Sequence, residues 1–227
     1  MSLIIFLVEC GVELIPKSLR EHPAVKRNLS MKNYYSQLLD NALHHSAMKK
    51  LKNSEKRGRP DIAHLCLLNA LGSPLNKVGK LRLFMHTSNN KLFEFNSEIR
   101  IAKNFNRFKG LMAKMLIDNG IKFKNDYLIF PIKKSLNEKI KEFTESKDSE
   151  IILFSRKGKL ISSYRDLYKG NSSKNYILII GGFQKSSFSE QIQNLTKNVI
   201  SISNESLNAW IVVSRAITFY EIFLNIF

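Results

Sequence analysis

Tyr176-Ile177-Leu178-Ile179-Ile180-Gly181-Gly182-Phe183 is an unbroken apolar run stopped by paired glycines. Without polar alternation it predicts a strand buried on both faces that empties into a tight loop. Glycines at that point let the backbone come close to a flat ligand. A polar segment with a helix over roughly Ser189 to Leu195 follows. Then come a short second strand, Asn198-Val199-Ile200-Ser201-Ile202, a Ser203-Asn204-Glu205-Ser206 turn, and a strongly apolar helix from near Leu207. Two strand ends and a helix start thus converge on one place, which is where open α/β sheets bind nucleotide-like ligands. No GxGxxG or Walker pattern accompanies them, so ordinary α/β core with a glycine turn is the plainer reading of this stretch alone.

Working outward, Ile151-Ile152-Leu153-Phe154 is a third buried strand running into Ser155-Arg156-Lys157-Gly158. A helix is expected over Ser162 to Tyr168. Glu142 to Glu150 reads as the most linker-like section, preceded by a charged amphipathic helix from Leu136 to Phe143. Further upstream, Tyr127 to Ile132 predicts a strand, Gly120 closes a helix running to Leu116, and Leu81 to Thr87 with Lys91 to Phe95 across Asn89-Asn90 predicts a hairpin. Met1-Ser2-Leu3-Ile4-Ile5-Phe6-Leu7-Val8-Glu9 holds an apolar run that reads as a buried first strand, with no basic region before it and no small-residue cleavage site after it. Repeated β/α units predict an α/β fold with a mostly parallel sheet. Tyr34 to Leu39 reads as strand or helix, and Leu43, Ala47, Met48 and Leu51 share one face of the helix that follows.

In 227 residues, 36 Lys and Arg oppose 19 Asp and Glu, a formal charge of +17 that favours polyanionic partners through counterion release. Nucleic acid leads, with an anionic membrane surface behind it. Cys10 and Cys66 sit among apolar residues and read as buried thiols of a reducing compartment, hence a cytoplasmic protein. No CxxC or Cys/His cluster suggests a metal, and the adjacent His44 and His45 point about 100° apart on a helix. The C-terminal apolar helix carries Asn208, Arg215, Glu221 and Asn225, which argues against a membrane span. Its apolar residues, from Leu207 through Trp210, Ile211, Val213, Ile217, Tyr220 and Leu224, cover more than one stripe, so part of it is expected in a dimer interface.

Two basic features stand out. In Lys52-Asn53-Ser54-Glu55-Lys56-Arg57-Gly58-Arg59-Pro60-Asp61, Pro60 suits the first turn of a helix through Ile62, Leu65, Cys66, Leu68 and Ala70, and Asp61 complements its dipole. Arg59 is then held beside a helix start, although a solvated basic turn is the generic alternative. Arg100, Lys103 and Arg107 recur three and four apart with Phe105 and Phe108 interleaved. If helical, they form one ridge able to track a phosphate backbone, or simply a solvated face.

Arg57-Gly58-Arg59-Pro60-Asp61, Leu67 to Asn76, Arg100 to Phe108, Gly181 and the Ser201 to Leu207 segment together resemble the ribosome-biogenesis pseudouridine N1-methyltransferases, the nucleolar essential protein family of SPOUT methyltransferases. The resemblance spans nearly the whole chain, with several separated motifs in order, and its termini look more like those of archaeal members. It implies one trefoil-knotted SPOUT domain over 1–227, with the knot and cofactor site at about 151–227 and an RNA-binding extension at about 52–119. It further implies a homodimer using S-adenosyl-L-methionine to methylate N1 of a pseudouridine in small-subunit rRNA, with ribosomal or assembly proteins as further partners and no membrane or metal. By similarity, cofactor contacts fall on Phe154, Gly181, Gly182, Ser186, Ile202, Ser203, Asn204, Glu205, Ser206 and Leu207. RNA contacts fall on Arg59, Arg100, Lys103 and Arg107, with Arg59 and Asp61 as the catalytic pair. Ser186 and Ser206 depart from a glycine and a proline common in that family. A non-catalytic rRNA-binding assembly factor is the alternative, since basic ridges and stacking aromatics would serve it equally.

Overall fold

A computed structural model describes residues 2–29, 37–146, 148–169 and 174–226. In chain order the first half contains β1 (Leu3–Cys10), α1 (Pro23–Arg27), α2 (Asn41–Met48), α3 (Pro60–Gly72), α4 (Pro74–Lys77), β2 (Leu81–Thr87), β3 (Leu92–Phe95) and α5 (Phe105–Ile117). The second half contains β4 (Ile121–Phe123), β5 (Asp126–Ile132), α6 (Leu136–Ser146), β6 (Ser149–Leu160), β7 (Asn175–Gly181), α7 (Glu190–Gln193), β8 (Val199–Ser201) and α8 (Ala209–Phe223). The strands form one sheet in the order β4-β5-β3-β2-β1-β7-β6-β8. The β2-β1-β7-β6-β8 part is parallel, while β3, β5 and β4 add an antiparallel flank.

Burial on both faces explains the unbroken apolar runs. Along β1, Leu3, Ile5 and Leu7 join Leu178 and Ile180 of β7 beneath α3, α5 and α8. Ile4, Phe6 and Val8 join Ile177 and Ile179 on the opposite face beneath α6 and α7. On that second face Phe6 stacks on Phe84 at 4.5 Å, and Phe143 of α6 meets both edge-on. A small separate cluster, centred on Val25, Leu39 and Met48, holds α1 and α2.

β6 does not stop at Phe154. Both Phe154 and Lys159 pair with Ile200 of β8, and a strand residue bridges one partner per edge. The chain therefore runs along one side of β8, crosses at 155–158 and continues on its other side, so that β8 lies inside a loop of β6. Gly158 sits at the crossing, where an added Cβ would lie 2.6 Å from the backbone of Val199 and Ile200. The Ser155 to Gly158 segment, expected as a turn, is this crossing.

Several local expectations are corrected. The helix expected over Ser162 to Tyr168 is a single 3-10 turn, Tyr164–Asp166, closed by a capping box between Ser163 and Asp166. The linker expected over Glu142 to Glu150 is mostly the end of α6 and the start of β6, and β4 has no counterpart in the sequence reading. Leu43 is exposed, and His44 takes the buried place beside Ala47 and Met48. Of the Tyr34 to Leu39 segment, residues up to Ser36 lie outside the described residues, and Leu38 makes an isolated antiparallel bridge to Leu14.

Two imidazoles are buried as neutral groups. His86 accepts a hydrogen bond at Nδ1 from the Glu9 backbone N–H, and Nε2 then donates to Asn90 Oδ1. His44 accepts from the Asp40 N–H, with its Nε2 buried and without a hydrogen-bond partner among the described residues. Burial pulls both below the ordinary imidazole value of 6.5.

This packing is open to two checks. Gly158→Ala must push apart two backbones and should lower unfolding free energy by about 3 kcal/mol, read by guanidinium denaturation; an unchanged midpoint would contradict the crossing. For the imidazoles, the unfolded state binds protons at a higher pH than the folded state. Their contribution is therefore complete above about pH 6.5 and declines as pH falls below it. Denaturant unfolding at pH 7.5 and 5.5 measures it, and equal stability at both would show that the rings do not stay neutral.

Candidate active site

The middle of β6 where it begins to cross, the carboxyl ends of β7 and β8 and the start of α8 surround a cavity of about 910 Å3. Its wall is part apolar, from Phe154, Ile180, Ile202 and Leu207, and part charged, from Arg156, Lys157, Lys185 and Lys197 against the carboxylate of Glu205. Volume and mixed lining suit a mid-sized ligand with apolar and ionic parts. Glycine matters at Gly181 because a Cβ there would press within 2.8 Å of the Phe183 ring and crowd Phe188, both of which line the cavity.

The structure brings together eight of the ten residues expected at a cofactor: Phe154, Gly181, Ser186, Ile202, Ser203, Glu205, Ser206 and Leu207 all line the cavity. Gly182 and Asn204 are not in its wall. Gly182 turns inward, where a Cβ would meet Cys10 Sγ at 2.3 Å, and its N–H donates to Val8 O. Asn204 is exposed at the tip of its turn. Arg156 and Lys157 lie on the segment after Phe154 and Lys185 on the turn between Gly181 and Ser186, stretches that the resemblance assigns to the cofactor without singling out these cations, while Lys197 lies outside every assigned segment.

The basic loop over 52–61 is far from a free solvated turn. Arg57 donates through Nε and Nη2 to both oxygens of Glu13 at 2.7 and 2.6 Å, and Glu13 is fully buried. Gly58, at φ +61°, accepts at its carbonyl from the Asn41 N–H and lies against Met48. Arg59 caps α3 and donates its backbone N–H to Gly11 O, just beyond β1. Its side chain grips Asp61 in a bidentate pair, Nε to Oδ1 at 2.8 Å and Nη2 to Oδ2 at 2.6 Å. The hydrogen bonds to Asp61, ahead of the cost of burial, hold the guanidinium more firmly charged than usual. Arg59 and Asp61 are not part of the cavity wall; the loop that carries them reaches its rim through Lys56, whose ammonium lies 5.0 Å above the Phe183 ring.

Arg100, Lys103 and Arg107 are exposed and near in sequence, but they do not form a helical ridge. Asn104 caps α5 through its side chain, accepting from the Arg107 N–H, so the helix begins at Phe105 and only Arg107 of the three is helical. Arg100 and Lys103 lie on an irregular segment fixed by buried Ile99 and by His64, whose Nε2 donates to Ala102 O at 2.7 Å. Phe108 faces inward, stacked on His64 at 4.3 Å, and Phe105 takes the Lys109 ammonium at 4.8 Å over its ring. Among the described residues no group of acidic, His or Cys side chains could hold a metal, and no helix is long and apolar enough to cross a membrane.

Comparison with known proteins places this geometry. The family model described as EMG1/NEP1 methyltransferase matches residues 5–221. A protein of Staphylothermus marinus named ribosomal RNA small subunit methyltransferase Nep1 is 40% identical, the match covering 98% of this chain and 96% of that one. Its namesake from Thermococcus sibiricus is 37% identical over 96% of each chain. The crystal structure of Archaeoglobus fulgidus Nep1 bound to S-adenosylhomocysteine superposes with a TM-score of 0.86 at 33% identity, covering 99% of this chain and 100% of that one. With a crossing at Gly158, two strand ends beside it around one cavity and likeness along its whole length, the chain belongs to the EMG1/NEP1 methyltransferase family of SPOUT methyltransferases.

Proposed function

We propose that the protein methylates small-subunit ribosomal RNA using S-adenosyl-L-methionine, and that the accepting atom is N1 of a pseudouridine. The observation that carries this reading is the fastening of a cation-bearing loop, with Arg59 oriented by Asp61, to the rim of the cavity at the strand ends. Relatives named as rRNA small-subunit methyltransferases, and one solved with S-adenosylhomocysteine, support the substrate class and the donor.

The cavity residues fit the donor. Phe154, Ile202 and Leu207 offer apolar surface for a purine, and the cations at the mouth suit a carboxylate. When bound, the donor supplies an electrophilic methyl carbon and a neutral thioether leaving group. This chain's part is then positioning and electrostatics. The Asp61 pair occupies Nε and Nη2 of Arg59 and leaves Nη1 to meet a substrate oxygen. As the base gives up its N1 proton, negative charge spreads onto the ring, and a fixed guanidinium stabilises it. Arg100, Lys103 and Arg107 contact phosphates of the flanking RNA, positioning it without reading bases. In this reading 151–227 is the knot and donor site, 52–119 is the RNA-binding extension, and the half-buried apolar residues of α8 lie against a second copy.

Labelled methyl from S-adenosyl-L-methionine is expected to pass to a short stem-loop carrying pseudouridine and not to the same stem-loop carrying uridine. Arg59→Ala should lower turnover at saturating RNA by about 10- to 100-fold, in line with the loss of one oriented charge-stabilising group of about 1.4–2.7 kcal/mol. Tight RNA binding without transfer to either RNA would replace this reading with that of an rRNA-binding assembly factor.

A further inference from the structure

Glu9, the penultimate residue of β1, has a left-handed backbone at φ +54°. An L side chain there costs about 1–2 kcal/mol, a strain tolerated where the surroundings require that residue's placement. The requirement is visible in the carboxylate. Oε2 accepts from Lys56 Nζ at 2.9 Å, and Oε1 accepts from the Ser189 backbone N–H at 3.3 Å. Its own N–H is held by His86 Nδ1.

Those two partners belong to different machinery. Lys56 lies three residues before Arg59, on the loop that carries the Arg59-Asp61 pair. Ser189 ends the loop that leaves Gly181 and lines the cavity through Phe183, Ser186 and Phe188. Lys56 also stands over the Phe183 ring at 5.0 Å, and Phe183 packs edge-on against Phe188 at 5.3 Å. Both members of the Glu9-Lys56 pair are largely withdrawn from water, with side chains 11% and 13% exposed. An ion pair so placed interacts more strongly than one at the surface, and removing one partner leaves the other buried and uncompensated. A glycine would adopt the same backbone without strain but would tie nothing together.

We propose that Glu9 is a positioning residue which, with Lys56, couples the donor cavity to the RNA-facing loop, so that filling the cavity and engaging RNA strengthen each other. This rests on the functional reading given above. Ordering Phe183 and Ser189 around a donor fixes Glu9 and Lys56, and Lys56 in turn fixes the loop that presents Arg59. The linkage is reciprocal, so RNA must tighten donor binding by the same factor, and such couplings are commonly about 5- to 150-fold.

The test is calorimetry of S-adenosylhomocysteine binding to the full chain, with and without a saturating pseudouridine stem-loop. Wild type, Glu9→Gln, Lys56→Met and Lys56→Arg are compared. RNA should lower the wild-type Kd by about 5-fold or more. Glu9→Gln and Lys56→Met should each bring that factor below about 2 while moving the Kd of either ligand alone by less than about 3-fold, and Lys56→Arg should keep the wild-type factor. The two disabling variants act from opposite sides of the pair, so one that fails to fold leaves the other to report. Coupling that survives in the folded variants, or its absence from a wild type that binds both ligands, overturns the proposal. So does a general loss of affinity for both ligands together with a lowered Tm, which a merely structural pair would produce. A wild type that binds no S-adenosylhomocysteine defeats the functional reading instead, and the coupling with it.

Discussion

At Gly158 two backbones meet with no room for a methyl group between them, and the site depends on that contact. β8 is only three residues long and, among the described residues, pairs with no strand but β6, so ladder hydrogen bonds alone would hold it weakly. Enclosure supplies what length does not. Because β6 runs on both sides of β8, the 155–158 segment has to cross at the carboxyl ends of the strands, beside the loops that follow β7 and β8. Three loops are crowded into one rim as a consequence of threading.

The charge balance divides along similar lines. Glu9, Glu13 and Asp40 are buried carboxylates, and each captures a cation: Lys56, Arg57 and Lys109 respectively. A buried carboxylate without a partner is costly, so these cations serve the architecture and are withdrawn from the pool that attracts RNA. The pairs anchor the 52–61 loop and α5, the two elements that carry Arg59 and Arg107. Each pair is neutral, so the net charge of +17 already excludes these three cations, and the pairs serve to fix the elements that carry Arg59 and Arg107.

What the sequence makes legible follows from the range of the forces involved. β1 and β7 could be read because burial on both faces writes a continuous apolar run, and the start of α3 because Pro60 and Asp61 act within one turn. The far half of β6 could not, since Arg156, Lys157 and Lys159 are exposed and only the enclosure of β8 makes that stretch a strand. Arg100, Lys103 and Arg107 have helical spacing, but the Asn104 side chain captures the Arg107 N–H and sets the helix start beyond two of them. Similarly, the Asp166 carboxylate accepts from the N–H groups of Ser162 and Ser163 and tightens an expected helix into one turn. Most of the cavity wall was legible from resemblance. The contact of Glu9 with Lys56, 47 residues apart in sequence, was not, because no local pattern encodes a pairing across the sheet.

The paired glycines after β7 show how finely the two sides of the site are separated. Gly181 borders the cavity, and Gly182 faces the core against Cys10, so the strand's alternation of faces persists into the loop. Only the first therefore belongs to the ligand wall. The second sets a layer of backbone between the cavity and the Cys10 thiol. Burial, aided by nearby Cys66 and Glu9, pushes that thiol well above its ordinary value, so it stays protonated. A thiolate is a far stronger nucleophile than a thiol, and one exposed to an electrophilic methyl would compete with the RNA base for it. Desolvation and the close contact with Gly182 together keep this thiol inert.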